Sequence, residues 1–287
     1  MKIAGAPISW GVCEVPGWGY QLAPDRVLAE MRDVGLSATE LGPEGFLPTN
    51  PDELNALLEA TGLSCVGTFA PVLLHDAEHD PLPNVAGALD ALVACQANVL
   101  VLAAATGTDG YDSRPTLDDD QWATLLDNLD LLAAAAAERG VLAVLHPHVG
   151  TMVETREDVE RVLNGSEIQL CLDTGHLLIG GTDPLQLARE VPDRIAHTHL
   201  KDVDAAIAAR VQAGELTYTE AVRQGMYTPL GSGDVDIAGI VKTLRSNGFD
   251  GWFVMEQDTI LAGEPTGEGP VHDVRTSVAF MRDCVPA

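Results

Sequence analysis

Basic residues are scarce in this chain. Its 287 residues include 16 Lys and Arg against 43 Asp and Glu, a formal charge of −27. A phosphate backbone or an anionic membrane surface wants a basic face, so this balance argues against nucleic acid and membrane as partners. Aromatics are also few, at 5%. The five cysteines, Cys13, Cys65, Cys95, Cys171 and Cys284, are widely spaced and form no CxxC or CxxH. That argues against a disulfide frame or a zinc knuckle and reads as reduced thiols in a cytoplasmic protein. No apolar run reaches the roughly 20 residues of a membrane span. The opening MKIAGAPISW turns to Gly and Pro before an apolar signal region develops. Neither a GxGxxG after the first strand nor a P-loop occurs, which removes the marks of a nucleotide-binding doubly wound sheet.

What is present is alternation. Short β-type runs are predicted over 2–8, 37–41, 63–69, 98–103, 141–146, 168–172, 194–200 and 252–255. Amphipathic or Ala/Leu-rich helical stretches lie between them, the longest over 117–139. Thr155 and Asp158 fit a capping box before another helix. The run Asn98 to Ala103 is continuously apolar, as a parallel strand buried on both faces should be. Eight such alternations predict a single α/β domain over 1–287, a (β/α)8 TIM barrel, for which about 250 residues is typical. A doubly wound sheet is the alternative. One segment, Val203 to Pro229, exceeds a normal loop and reads as a helical insertion over the barrel mouth.

Four late strands end in metal-ligand residue types. They run into His146-Pro147-His148, Asp173-Thr174-Gly175-His176, His197-Thr198-His199-Leu200-Lys201-Asp202 and Glu256-Gln257-Asp258. Each has a plain reading alone: a loop-packing pair, a turn opening a helix, a satisfied core histidine, a cap. In a barrel the four ends lie side by side at one rim, and chance does not readily supply four in succession. Imidazole with carboxylate suits Mn²⁺, Co²⁺, Fe²⁺ or Zn²⁺, whereas pure oxygen ligation suits Mg²⁺. Cys171 shares the face of Asp173 one layer deeper. Trp10, Phe69 and Glu40 fall at early strand ends, where they would touch a substrate or simply pack. Asp118, Asp119 and Asp120 read as complement to a helix dipole.

These strand ends resemble the xylose-isomerase-like barrel superfamily. The resemblance implies one divalent metal, Mn²⁺ or Co²⁺ first, on Asp173, His199 and Glu256, with His146, His148 or a water in the fifth-strand place. A closer resemblance is to the inosose dehydratases. It shares the opening Ala6-Pro7-Ile8-Ser9-Trp10, the segment Thr39 to Pro48, the segment His146 to Thr155, the stretch Gly225 to Gly233 and the last strand Gly251 to Asp258. That likeness implies a hydro-lyase acting on a small polyol or ketose, here 2-keto-myo-inositol. His146 would complete the metal set; His148, His176, Lys201 and Glu256 would be catalytic; Trp10, Glu40, Phe69, His176 and Lys201 would contact substrate. A homo-oligomer is compatible with this reading. The competing activity is a ketose isomerase or epimerase, disfavoured by histidine where those enzymes pair carboxylates. A repair endonuclease conflicts with the charge, and a non-catalytic sugar-binding protein with the intact rim.

Overall fold

The computed structural model describes residues 1–284; residues 285–287 of the expected domain lie outside the described residues. Nine parallel strand segments form one sheet. In chain order they are β1 (Lys2–Gly5), β2 (Ala38–Thr39), β3 (Ser64–Cys65), β4 (Gly67–Leu73), β5 (Val99–Ala105), β6 (Leu142–Leu145), β7 (Gln169–Asp173), β8 (Ile195–Leu200) and, after a two-stranded ribbon, β11 (Trp252–Met255). The ribbon pairs β9 (Asp202–Val203) antiparallel with β10 (Tyr227–Thr228). Spatial order in the sheet runs β3-β2-β1-β11-β8-β7-β6-β5-β4. The two end segments, β3 and β4, are successive pieces of chain on either side of Val66. The chain thus joins the two edges, and the sheet is an eight-staved TIM barrel.

Two apolar layers hold it. Within the barrel, Val99, Val101, Val144 and Cys171 pack together, with Phe69 against them. Between the staves and the surrounding helices, Leu28, Met31, Leu92, Leu125, Leu129 and Leu132 are fully buried. Burying each such side chain contributes about 1.5–3 kcal/mol. Local chemistry sets the helix ends. Thr155 and Asp158 close the expected capping box on the helix Arg156–Gly165. Asp118 and Gln121 form another on the longest helix, Asp119–Glu138. Among the described residues no helix is long and apolar enough to cross a membrane.

Two expected strands are corrected. The first stops at Gly5, because Pro7–Trp10 wind into a 3-10 turn; Pro7 has no N–H to extend the ladder. The third breaks at Val66 and then continues to Leu73. The insertion after β8 carries two helices, Ala205–Gln212 and Tyr218–Arg223, which pack through Ala208, Ala221 and Val222 in a small apolar cluster that includes Trp18 and Val149.

Candidate active site

Parallel pairing sets the register of the rim. Asp173 pairs with His199, and His199 with Val254. The Glu256 N–H continues that ladder to the Leu200 carbonyl, and the His146 N–H reaches the Leu102 carbonyl. Residues distant in the chain therefore end at one height.

Asp173 divides its carboxylate. Its Oδ1 accepts from the backbone N–H groups of Gly175 and His176, capping the helix Thr174–Ile179. Its Oδ2 faces inward, 3.2 Å from His146 Nε2, 3.5 Å from Lys201 Nζ and 3.8 Å from His199 Nδ1. The plain reading of this residue, a turn opening a helix, holds for one oxygen, and the other is left facing the barrel interior. His199 Nδ1 also lies 3.2 Å from Glu256 Oε2. It makes no hydrogen bond among the described residues, although it is buried.

His146, Asp173, His199 and Glu256 each offer one ligand atom, all within 4.8 Å of one another. It is His146, not His148, that completes the group. Two imidazoles and two carboxylates fit a borderline divalent ion. The unpartnered His199 nitrogen, aimed between two carboxylates, is what such an ion would satisfy. Cys171 lies one register step below, paired with His197, and burial pushes its thiol up to about 11. It joins His146 and His199 in an alternative cluster that lacks the two carboxylates of the quartet.

Glu40 and Trp10 are not where a substrate contact would be. Glu40 is buried beneath the rim, where its Oε1 accepts from His197 Nε2 at 2.9 Å and His199 Nε2 at 3.1 Å. Burial alone would raise its pKa, but His199 and His197 hold it down at about 2. Its carboxylate orients the far side of a candidate ligand, a role such groups commonly serve behind metal-bound histidines. Trp10 is fully buried in the layer outside the staves, with its indole N–H donating to Glu30 at 2.7 Å. The early 3-10 turn swings it away from the mouth. Phe69 does reach the site, with its ring 6.0 Å from both His146 and His148.

Three more groups crowd the quartet. His148 and His176 stack with ring centroids 3.6 Å apart. Val149 grips both: its carbonyl accepts from His148 Nδ1 at 2.7 Å and its N–H donates to His176 Nδ1 at 3.3 Å. Burial, reinforced by neighbouring positive charge, holds both imidazoles well below the usual histidine range. Lys201 Nζ lies 2.9 Å from Glu256, 2.7 Å from Asp258 and 3.1 Å from His176 Nε2. Burial works against its charge, but Asp173, Asp258 and Glu256 outweigh that and raise its pKa.

Sequence reasoning missed Asp258, Tyr218 and Tyr227 as site residues. Asp258 was visible as the close of the last strand-end motif. The tyrosines were visible only as part of an insertion whose aim no spacing reveals. Asp202 proves structural: its carboxylate accepts from the N–H groups of Val203, Gly231, Gly233 and Val235. Over the mouth, Tyr111 lies 4.3 Å from His148, its hydroxyl donating to Glu14. A side chain at Gly150 would strike the Tyr111 backbone at 2.3 Å, so only glycine lets that loop descend.

A rim of imidazoles and carboxylates on a closed parallel barrel defines a class of enzyme, and comparison agrees. The family model for the xylose isomerase-like TIM barrel matches residues 28–284. An inosose dehydratase of Geobacillus kaustophilus is 32% identical over 270 residues, covering 90% of this chain and 87% of that one. The chain therefore belongs to the xylose isomerase-like TIM barrel family and, within it, to the inosose dehydratase family of carbon–oxygen lyases. Solved structures share the fold at low identity. The IOLI protein, solved with a zinc atom, has a TM-score of 0.72 at 16% identity, covering 99% of this chain and 98% of that one. The 3-keto-D-glucoside 4-epimerase of E. coli has 0.68 at 20%, covering 99% and 100%.

Proposed function

We propose that this protein is a divalent-metal-dependent dehydratase that removes water from a polyhydroxylated cyclic ketone, 2-keto-myo-inositol. The observation that carries the reading is the buried quartet His146, Asp173, His199 and Glu256, with its ligand atoms within 4.8 Å, flanked by His148, His176 and Lys201. The likeness to inosose dehydratases over most of both chains supports the substrate.

Elimination β to a ketone needs a base for the α-proton, stabilisation of the charge gained by the carbonyl oxygen, and an acid for the departing hydroxyl. A divalent ion bound by the quartet supplies Lewis-acid stabilisation of that charge. His148 is the base. Its Nδ1–H is committed to the Val149 carbonyl, so a neutral ring presents the Nε2 lone pair. Lys201 donates to the oxygen that gains charge. His176 faces two donors, Val149 N–H and the Lys201 ammonium, and a neutral ring can accept from one only. A substrate oxygen that draws on Lys201 leaves His176 with its proton on Nε2, where it donates to the leaving hydroxyl; the proton taken up by His148 then passes to His176, whose ring stacks on it, so that water leaves and both rings end neutral. Phe69 and Tyr111 border the space and exclude water.

The test is metal analysis of the purified protein followed by incubation with 2-keto-myo-inositol and a panel of ketoses. Stoichiometric metal and a product lighter by one water are expected. Turnover with unchanged mass would make it an epimerase, and metal-free turnover would remove the quartet's role.

A further inference from the structure

The insertion does more than cover the mouth. Tyr218, on its second helix, sends its hydroxyl to Asp258 Oδ2, while Asp258 Oδ1 takes Lys201 Nζ at 2.7 Å. One carboxylate thus links a tyrosine from the insertion to the site lysine. The second insertion tyrosine supports the same target: Tyr227 lies 3.2 Å from Tyr218, hydroxyl to hydroxyl, and its ring faces Lys201 Nζ at 5.5 Å. Close approach here depends on Gly175, where a Cβ would meet Tyr227 at 2.7 Å and Lys201 at 2.8 Å. Tyr218, Tyr227, Asp258 and Lys201 are all buried.

We infer that Tyr218 is a positioning residue that acts through Asp258 to aim the Lys201 ammonium into the site. A carboxylate with one oxygen fixed by a hydroxyl loses rotational freedom, and its other oxygen then fixes its partner. The insertion thereby sets the catalytic lysine as well as shielding it. Lys201's part in turnover rests on the dehydratase reading; its placement does not.

Two measurements separate the possibilities. The chain has three lysines, Lys2, Lys201 and Lys242, and the first and last are exposed. Lysine-only ¹³C,¹⁵N labelling therefore yields few side-chain signals, with Lys201 identified by its loss in K201M. In Y218F the Lys201 signal should shift or broaden while the other two stay. Turnover of 2-keto-myo-inositol by the metal-loaded enzyme should fall about 10- to 100-fold in kcat, the range for losing a hydrogen bond to a charged group. KM should stay within about twofold. In a D258N background, Y218F should cost nothing further, because the two act as one unit. An unmoved Lys201 signal would overturn the inference. So would a rise in KM at constant kcat, which marks a direct substrate contact, or full additivity with D258N. If the wild-type protein fails to dehydrate the ketone, the functional reading falls and the lysine signal alone decides. Y218M, with a more adaptable side chain, takes the same tests should Y218F not fold.

Discussion

The two halves of the barrel interior differ in kind. From β1 to β5 the inward positions are apolar save one: Ala4, Val66, Val99 and Val101 are buried with nothing to donate or accept from their side chains. From β6 to β11 the strand ends hold His146, Asp173, His199, Lys201 and Glu256, all buried as well. Equal burial thus hides opposite duties. The early half closes the cylinder and walls the site; the late half holds the buried imidazoles, carboxylates and lysine to which the proposed chemistry is assigned. One residue crosses the divide. Glu40 follows β2 yet spends its carboxylate on His197 and His199 of β8.

Four substitutions probe that division, from large effect to small. Asp173→Ala removes an inward ligand oxygen and a helix cap together; loss of bound metal and a fall in turnover of more than about a thousandfold are expected, read by metal analysis and kinetics. Retained activity in a metal-free preparation would erase the contrast between the halves. Leu129→Ala empties a fully buried site outside the barrel. It should cost about 2–5 kcal/mol in denaturant unfolding while leaving kcat intact below the melting range. Glu40→Gln should weaken metal binding about 10- to 100-fold by calorimetry, although Glu40 is no ligand of the proposed quartet. Thr155→Ala breaks a capping box and should cost about 1 kcal/mol with metal affinity unchanged.

Glu40 also makes a prediction about acid. Its carboxyl is depressed from 4.5 to about 2 in the folded protein. A group lowered on folding stabilises the native state above its unfolded pKa, and that contribution fades as pH falls through the folded value. Metal-free protein should therefore lose stability between about pH 4.5 and pH 2, and E40Q should flatten that decline in acid-unfolding curves.

Much of this was legible in the amino-acid order. Alternation and the apolar run of β5 pointed to the barrel because a parallel strand buried on both faces has few other ways to exist. The quartet could be read because its members sit at strand ends, where register alone brings them together. Trp10 and Glu40 escaped for opposite reasons. A four-residue 3-10 turn after β1 rotates Trp10 outward, and no local pattern announces how far such a turn rotates. Glu40 does face inward, but its partners lie more than 150 residues away, at a depth that only strand tilt and stagger decide. The tyrosines of the insertion were hidden because helix periodicity says which face is apolar, not which hydroxyl reaches a distant aspartate.

Asp173 carries a final consequence. The same short side chain seals the start of one helix and supplies the inner oxygen of the quartet. Glutamate in its place would push one oxygen off whichever station it failed to reach, and asparagine would leave an amide where an anion belongs. At this position, adjusting the reaction and preserving the architecture are a single problem, and aspartate is the side chain whose length and charge answer both.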